Sequence, residues 1–193
     1  MANKDAAFGL KPIGKVGQNK DNQGLSEYSI AASTTSAIYQ NDPVKVTDNG
    51  TIDVAGTTGS ILGSLNGVFY TDSSTSKPTW ANHLETSNAA TDIVGFVSDD
   101  PYERFEIQSE GTLPKVNIFA NANTVYTAGD SANYVSKVEI SATTGTTAAS
   151  QLRIVGVSKD PDNSELLNAT TYATNVNVIA MINNHALKTT TGV

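Results

Sequence analysis

The sequence predicts an all-β fold, a compact antiparallel β-barrel or jelly-roll-like sandwich carrying an extended N-terminal arm. Three observations lead there. Charged residues are only 16% of the 193 positions, below the quarter typical of globular chains, so the charged outer faces of surface helices are missing. From Glu27 onward the apolar residues come in short bursts, EYSIA, PVKV, TIDVA and SILGSLNGVFY, broken by Gly, Asn, Asp and Ser; this is the pattern of strands joined by tight turns. Asp48-Asn49-Gly50 falls between two of these bursts, and Asn-Gly flanked by alternating apolar residues is the strongest short-range hairpin signal.

In chain order, residues 1–25 contain Gly9, Gly14, Gly17, Gly24 and Pro12 and no sustained period, so they read as the arm. Phe8, Leu10 and Ile13 are spaced so that an extended chain could press them onto another surface, and Lys4, Lys11, Lys15 and Lys20 give the arm positive charge. Residues 26–193 read as the β domain. Val44, Val46, Ile52 and Val54 alternate along the first hairpin and should line one face. Residues 71–91 read as a polar loop around the only Trp, Trp80, which could plug a small core, form a ligand platform or anchor an interface.

The stretch SDDPYERFEIQSEG, residues 98–111, then follows a two-residue period. Phe105 and Ile107 should point inward, with Tyr102, Arg104, Glu106 and Gln108 on the opposite face, exposed or at a subunit contact. Only Ser164 to Tyr172 could hold more than one helical turn, capped by Asn163 or Ser164 with Glu165 in the first turn. NVNVIAMINNHAL reads as the closing strand. A faint internal echo pairs IVGFVSDDP with IVGVSKDP, and YQNDPVKV–SILGSL with YTAGDSANYVSKV–RIVGV. It suggests two duplicated β units, 26–111 and 112–193.

Composition bounds the partners. A net charge of −7, with 12 Lys and Arg scattered along the chain, opposes nucleic-acid binding, which needs a clustered basic surface. The chain has neither an apolar run of signal-peptide length near its start nor one of about 18 residues to span a bilayer. A soluble protein made in the cytoplasm is therefore expected, with no membrane partner. The lack of Cys excludes a disulfide framework, a thiolate metal site and a Cys nucleophile.

Signals for chemistry are thin. Strand periodicity disperses the carboxylates of residues 98–111, whereas an acid–base pair needs roughly 5 to 10 Å across a cleft. Neither His83 nor His185 lies in a nucleophile-elbow context. Asp48, Asp53, Asp130, Asp160 and Asp162 sit among turn residues without the spaced ligands and closing Glu of a calcium loop. Gly56 to Ser64 lacks the Lys-Ser/Thr ending of a phosphate loop. No catalytic, metal or cofactor residue is assigned, and a non-enzymatic role is expected.

Three stretches, in this order, resemble small tailed-bacteriophage proteins that decorate or cement the capsid. They are AAFGLKPIG at 6–14, SDDPYERFEIQSEG at 98–111, and QLRIVGVSKDPDN at 151–163 leading to VNVIAMINNHAL. The resemblance implies a structural virion protein on the outer surface of the head, a homotrimer that binds the major capsid protein and stabilises the expanded shell. Phe8, Leu10, Lys11 and Ile13 would form the capsid-contact arm, and Trp80, Tyr102, Arg104 and Glu106 a subunit interface. The alternative is a head-fibre or tail-associated adhesin whose Trp80 loop binds host-surface glycan.

Overall fold

A computed structural model describes residues 3–17, 24–163 and 167–188, and among these the fold is all-β with antiparallel sheets. The first half supplies β1 (Lys11–Lys15), β2 (Ser26–Ser29), β3 (Pro43–Val46), β4 (Ile52–Val54), β5 (Gly63–Thr71), β6 (Pro78–Ala81) and β7 (Val94–Ser98). The second supplies β8 (Glu103–Gln108), β9 (Leu113–Pro114), β10 (Asn121–Val125), β11 (Glu139–Gly145), β12 (Leu152–Val157), β13 (Thr171–Tyr172) and β14 (Asn177–Ile182). Lys115–Asn117 form one 3₁₀ turn.

The β3–β4 hairpin forms as its sequence predicts. Val44 pairs with Val54 and Val46 with Ile52, which puts Val44 and Ile52 in the core while Lys45 faces out. Gly50 closes the turn at φ 71° and donates its N–H to the Thr47 carbonyl at 3.0 Å. Glycine takes this left-handed conformation at little cost.

The two large sheets repeat one topology. The first runs β2-β7-β5-β3-β4 and the second β8-β14-β12-β10-β11, so within each unit the strands are ordered first, fifth, fourth, second, third. Each sheet curls back on itself through a parallel bridge, Ile30 to Ile52 in the first and Ser109 to Ile140 in the second. Each also has a minor antiparallel pair joining equivalent connections, Ile38 with Leu84 in the first and β9 with β13 in the second. Two additions break the match: β6 extends the first sheet beside β5, and β1 extends the second beside β8.

This topology puts the junction of the units at Asp99–Tyr102, between β7 and β8, rather than after Gly111. SDDPYERFEIQ therefore opens the second unit instead of closing the first. The echo between IVGFVSDDP and IVGVSKDP aligns β7 with β12, strands at different places in the repeat, and YTAGDSANYVSKV connects β10 to β11 rather than matching β3. SILGSL and RIVGV do occupy equivalent strands, β5 and β12.

Each unit has its own core. Ile38, Val44, Ile52, Leu62, Leu65, Val68, Leu84 and Val97 fill the first; Phe105, Ile107, Leu113, Ile140, Leu152, Ile154, Val178 and Ala180 fill the second. The units are interlocked, because Ala55 and Ile61 from the β4–β5 connection belong to the second core, and Ala186 packs on the first. Ile61 donates to the Asn184 carbonyl at 3.0 Å and accepts from the Ala186 N–H at 2.9 Å.

The expected arm is part of the fold. Leu10 is fully buried in the second core, while its N–H bonds the Asn41 carbonyl of the first unit at 2.9 Å. β1 pairs with β8, Lys11 opposite Glu106 and Pro12 opposite Phe105. The physical reason is burial: a Leu with an apolar cavity available in its own chain gains more there than at an exposed edge. Gly9, at φ 74°, fits where a Cβ would lie 2.3 Å from the Asn41 carbonyl oxygen. Lys20 lies outside the described residues.

Two local expectations also change. Residues 78–81 of the predicted polar loop form β6, pairing Trp80 with Phe69. Of the predicted helix, 164–166 lie outside the described residues, and 167–172 form a bend, a turn and β13, because Leu167 and Asn168 donate their N–H groups to the Thr171 carbonyl.

Candidate functional site

The predicted site residues fall on two separate surfaces. One is the outer face of β1 and β8 and the turn before them. Phe105 and Ile107 are fully buried, and Arg104 is exposed, as the alternation requires. Arg104 stays open because its partner across the strands is Gly14, which has no side chain to cover it. Tyr102 is 58% exposed, with the Lys188 ammonium 4.1 Å from its ring centroid.

Glu106 departs from expectation. It is buried, because β1 pairs alongside β8 and Lys11, directly across the strands, brings its ammonium to the Glu106 carboxylate at 3.5 Å. Gln108 is buried for the same reason: residues before β1 cross it, with the Ala6 N–H donating to its side-chain oxygen at 2.8 Å and its amide donating to the Lys4 carbonyl at 3.1 Å. Of the four arm residues, Leu10 is unavailable to a partner and Phe8 is half-buried, with Lys11 6.0 Å from its ring centroid. Ile13, at the irregularity between Pro12 and Gly14, is 41% exposed, and Val16 beyond it is 44% exposed.

The acidic turn is divided between the units. Asp99 accepts a hydrogen bond from the Tyr28 hydroxyl at 2.6 Å, and burial together with this carboxylate pushes Tyr28 up to about 12. Asp100 pairs with Lys15 at 2.8 Å and accepts from the Tyr102 N–H at 2.7 Å. The Lys15 hydrogen bond is the main cause holding Asp100 below the ordinary carboxylate range. Glu103 points inward with Phe105 and is fully enclosed; burial raises it, with Lys15 pulling the other way. The carboxylates thus serve separate structural contacts.

Sequence reasoning gave no sign of a set of buried ionisable groups where the units meet. Asp42 accepts from the Tyr39 N–H at 2.8 Å, but its Oδ1 has no partner, and burial pushes it up to about 6. His185 accepts the Leu187 N–H at Nδ1 at 3.0 Å, so its proton sits on Nε2, which is enclosed without a hydrogen-bonding partner. Burial, then Lys188, holds His185 below its usual range. Glu103 Oε1 is likewise unpartnered.

The second surface is the outer face of the first sheet. Trp80 is 53% exposed and Phe69, directly across the strands, 40% exposed. Phe96 packs against Trp80 with ring centroids 4.9 Å apart. Gly67 lets the indole lie flat, since a Cβ there would sit 2.7 Å from the Trp80 ring. Trp80 therefore does not join Tyr102, Arg104 and Glu106 in one site. Phe69 and Phe96 were concealed inside apolar bursts whose outward members cannot be told from inward ones until the register is known.

Comparison with protein-family models, curated proteins and solved structures finds no match.

Proposed function

We propose that this chain is a structural protein of a tailed-phage virion, cementing major capsid subunits on the outer surface of the head as a homotrimer. One observation carries the reading. The stretches that resemble capsid decoration proteins are scattered from residue 6 to residue 187 in sequence, yet they form β1, β8, β14 and β12, consecutive strands of one sheet. A chance likeness of short motifs would have no reason to assemble side by side.

In this reading the contact surface is the outer edge of that sheet rather than a free arm. It would use Ile13, Val16, Lys11 and Arg104, with Phe8 beside them. Binding only the assembled lattice stabilises it by RT ln(1 + [L]/Kd), roughly 2.7 kcal/mol at a hundredfold excess over Kd. Three linked copies convert weak contacts into a tight one. The test is co-sedimentation with purified capsids that lack the protein: saturation at a fixed ratio to the major capsid protein supports the reading, and no pelleting at any concentration sinks it.

The exposed Trp80–Phe69 face favours a second reading, an adhesin that stacks these rings on host-surface glycan. Binding of the isolated protein to cells or polysaccharide, but not to capsids, would select it.

A further inference from the structure

After β14 the chain turns back from the second unit to the first, and the segment that does so is built around a histidine. His185 forms a parallel bridge with Ile61 of the β4–β5 connection. The Ile61 N–H bonds the Asn184 carbonyl at 3.0 Å, the Ala186 N–H bonds the Ile61 carbonyl at 2.9 Å, and Ala186 packs on the first core. Lys188 then reaches the junction of the units, donating to the Pro101 carbonyl at 2.8 Å and lying over the Tyr102 ring. Residues 184–188 are thus a clasp from the end of the second unit onto the first unit and the junction.

His185 is fully buried at the centre of this clasp. Its Nδ1 accepts the Leu187 N–H at 3.0 Å, and its carbonyl accepts the Lys188 N–H at 2.9 Å, so the residue holds the turn from both its ring and its backbone. Only a neutral ring can accept in this way. A second proton would go to Nδ1 and set it against the Leu187 N–H, a donor facing a donor. At the other side of the ring Nε2 is enclosed without a hydrogen-bonding partner, and a buried charge left unpaired is costly. The charged groups facing the ring are Asp99 and Asp100 from the β7–β8 junction and Lys188 from the clasp itself. Asp99 is bonded to the Tyr28 hydroxyl and Asp100 to Lys15, while Lys188 opposes a second cation. Burial outweighs the two acids and keeps the ring below its usual range.

We propose that His185 is a pH-operated latch: acidification opens residues 184–188, releasing Ile61 and the Pro101–Tyr102 turn, because the clasp takes up a proton at His185 only by letting the ring out to water. The sign follows from linkage. The contribution of a neutral buried ring is full above about pH 6.5, the ordinary value for His, and is lost as pH falls toward its lower folded value. Asp42 works in the opposite direction and is most stabilising below about pH 4, so opening is confined to the clasp while the seam holds. The latch acts within one chain and stands apart from the capsid reading.

The experiment is amide hydrogen exchange of the full chain at about pH 7 and about pH 5, corrected for the intrinsic exchange rate, with the two His rings followed by NMR. Each unit of pH inside the window multiplies the open fraction by up to about ten, so Ile61, Ala186 and Leu187 should lose protection by a factor of about three or more. Leu62 and Ile154, hydrogen-bonded to Val44 and Ala120 inside the two units, should keep theirs. His185→Asn retains an acceptor at the position of Nδ1 and cannot titrate there, so its clasp should stay protected at both pH values, whereas His83→Asn should respond like the wild type. The wild-type ring gives a second reading that needs no variant: the His185 signal should gain its proton only together with the loss of amide protection. Unchanged protection at Ile61, Ala186 and Leu187, an equal loss at Leu62 and Ile154, an undiminished loss in His185→Asn, or a His185 ring that titrates while the clasp stays protected would each overturn the proposal.

Discussion

The first and second units share a strand order and a curled sheet, but their outer surfaces are finished differently. The second unit has its first strand covered by β1 and the residues before it, which bury Glu106 and Gln108. The corresponding strand of the first unit, β2, has no such neighbour among the described residues and leaves Glu27 and Ser29 exposed. The first unit instead gains β6, which sets Trp80 beside Phe69. The lesson is that a common inner frame fixes neither edge nor face. What is appended to it decides which surfaces are left for partners.

Removing residues 2–14 should break the comparison most severely, because it strips the second unit of β1 and takes Leu10 out of its core. The loss should exceed that of one buried Leu, about 2 to 5 kcal/mol, and appear as a large fall in melting temperature. A truncated protein that melts like the whole chain would mean the segment is only draped on the surface. Phe105→Ala comes next, at about 3 to 5 kcal/mol. If the interlocked units unfold together, Leu62→Ala in the first core should shift the same single calorimetric transition; two separate transitions would show independent units.

Asp42 tests the seam between the units. Its folded-state value is raised from 3.8 to about 6, so its stabilising contribution is full below about pH 4 and is lost as pH rises through 6. Asp42→Asn should therefore raise stability at pH 8, by about 3 kcal/mol, and change it little at pH 4. Urea denaturation at the two pH values checks this, and equal effects at both would count against the burial account. The smallest effect is expected at Gly67→Ala. The added Cβ would meet both the Trp80 ring and the Ala81 carbonyl oxygen, and should displace Trp80 at a cost of about 1 to 3 kcal/mol and alter its fluorescence. Unchanged emission would mean the indole is not held against Gly67.

Much of the inner frame could be read from the sequence. The β3–β4 hairpin and the inward positions of Phe105 and Ile107 follow from period-two alternation and a turn dipeptide, both local signals. Three features could not be read. Leu10 belongs to a core assembled from strands a hundred residues away, and nothing near it marks that destination. Glu106 is buried by a neighbouring strand, so its own alternation, correctly placing it opposite Phe105, says nothing about cover. Val116 and Phe119 lie in a stretch that resembles many apolar strand fragments, and only the turn at Lys115–Asn117 shows that they are presented outward.

The interlocking of the two units also has a consequence during synthesis. Strands β2 to β7 leave the ribosome before the strands of the second unit do, so the first sheet can close while Leu10, Ala55 and Ile61 still lack the core they will enter. That core is complete only after β14, when the last strand to be made meets β8 and β12. At about 5 to 20 residues per second, the chain spends several seconds with these side chains unsheltered. Many copies made at once in one cell would then be most vulnerable to mispairing in that interval, through segments of the first unit that lodge in the second unit of a neighbour.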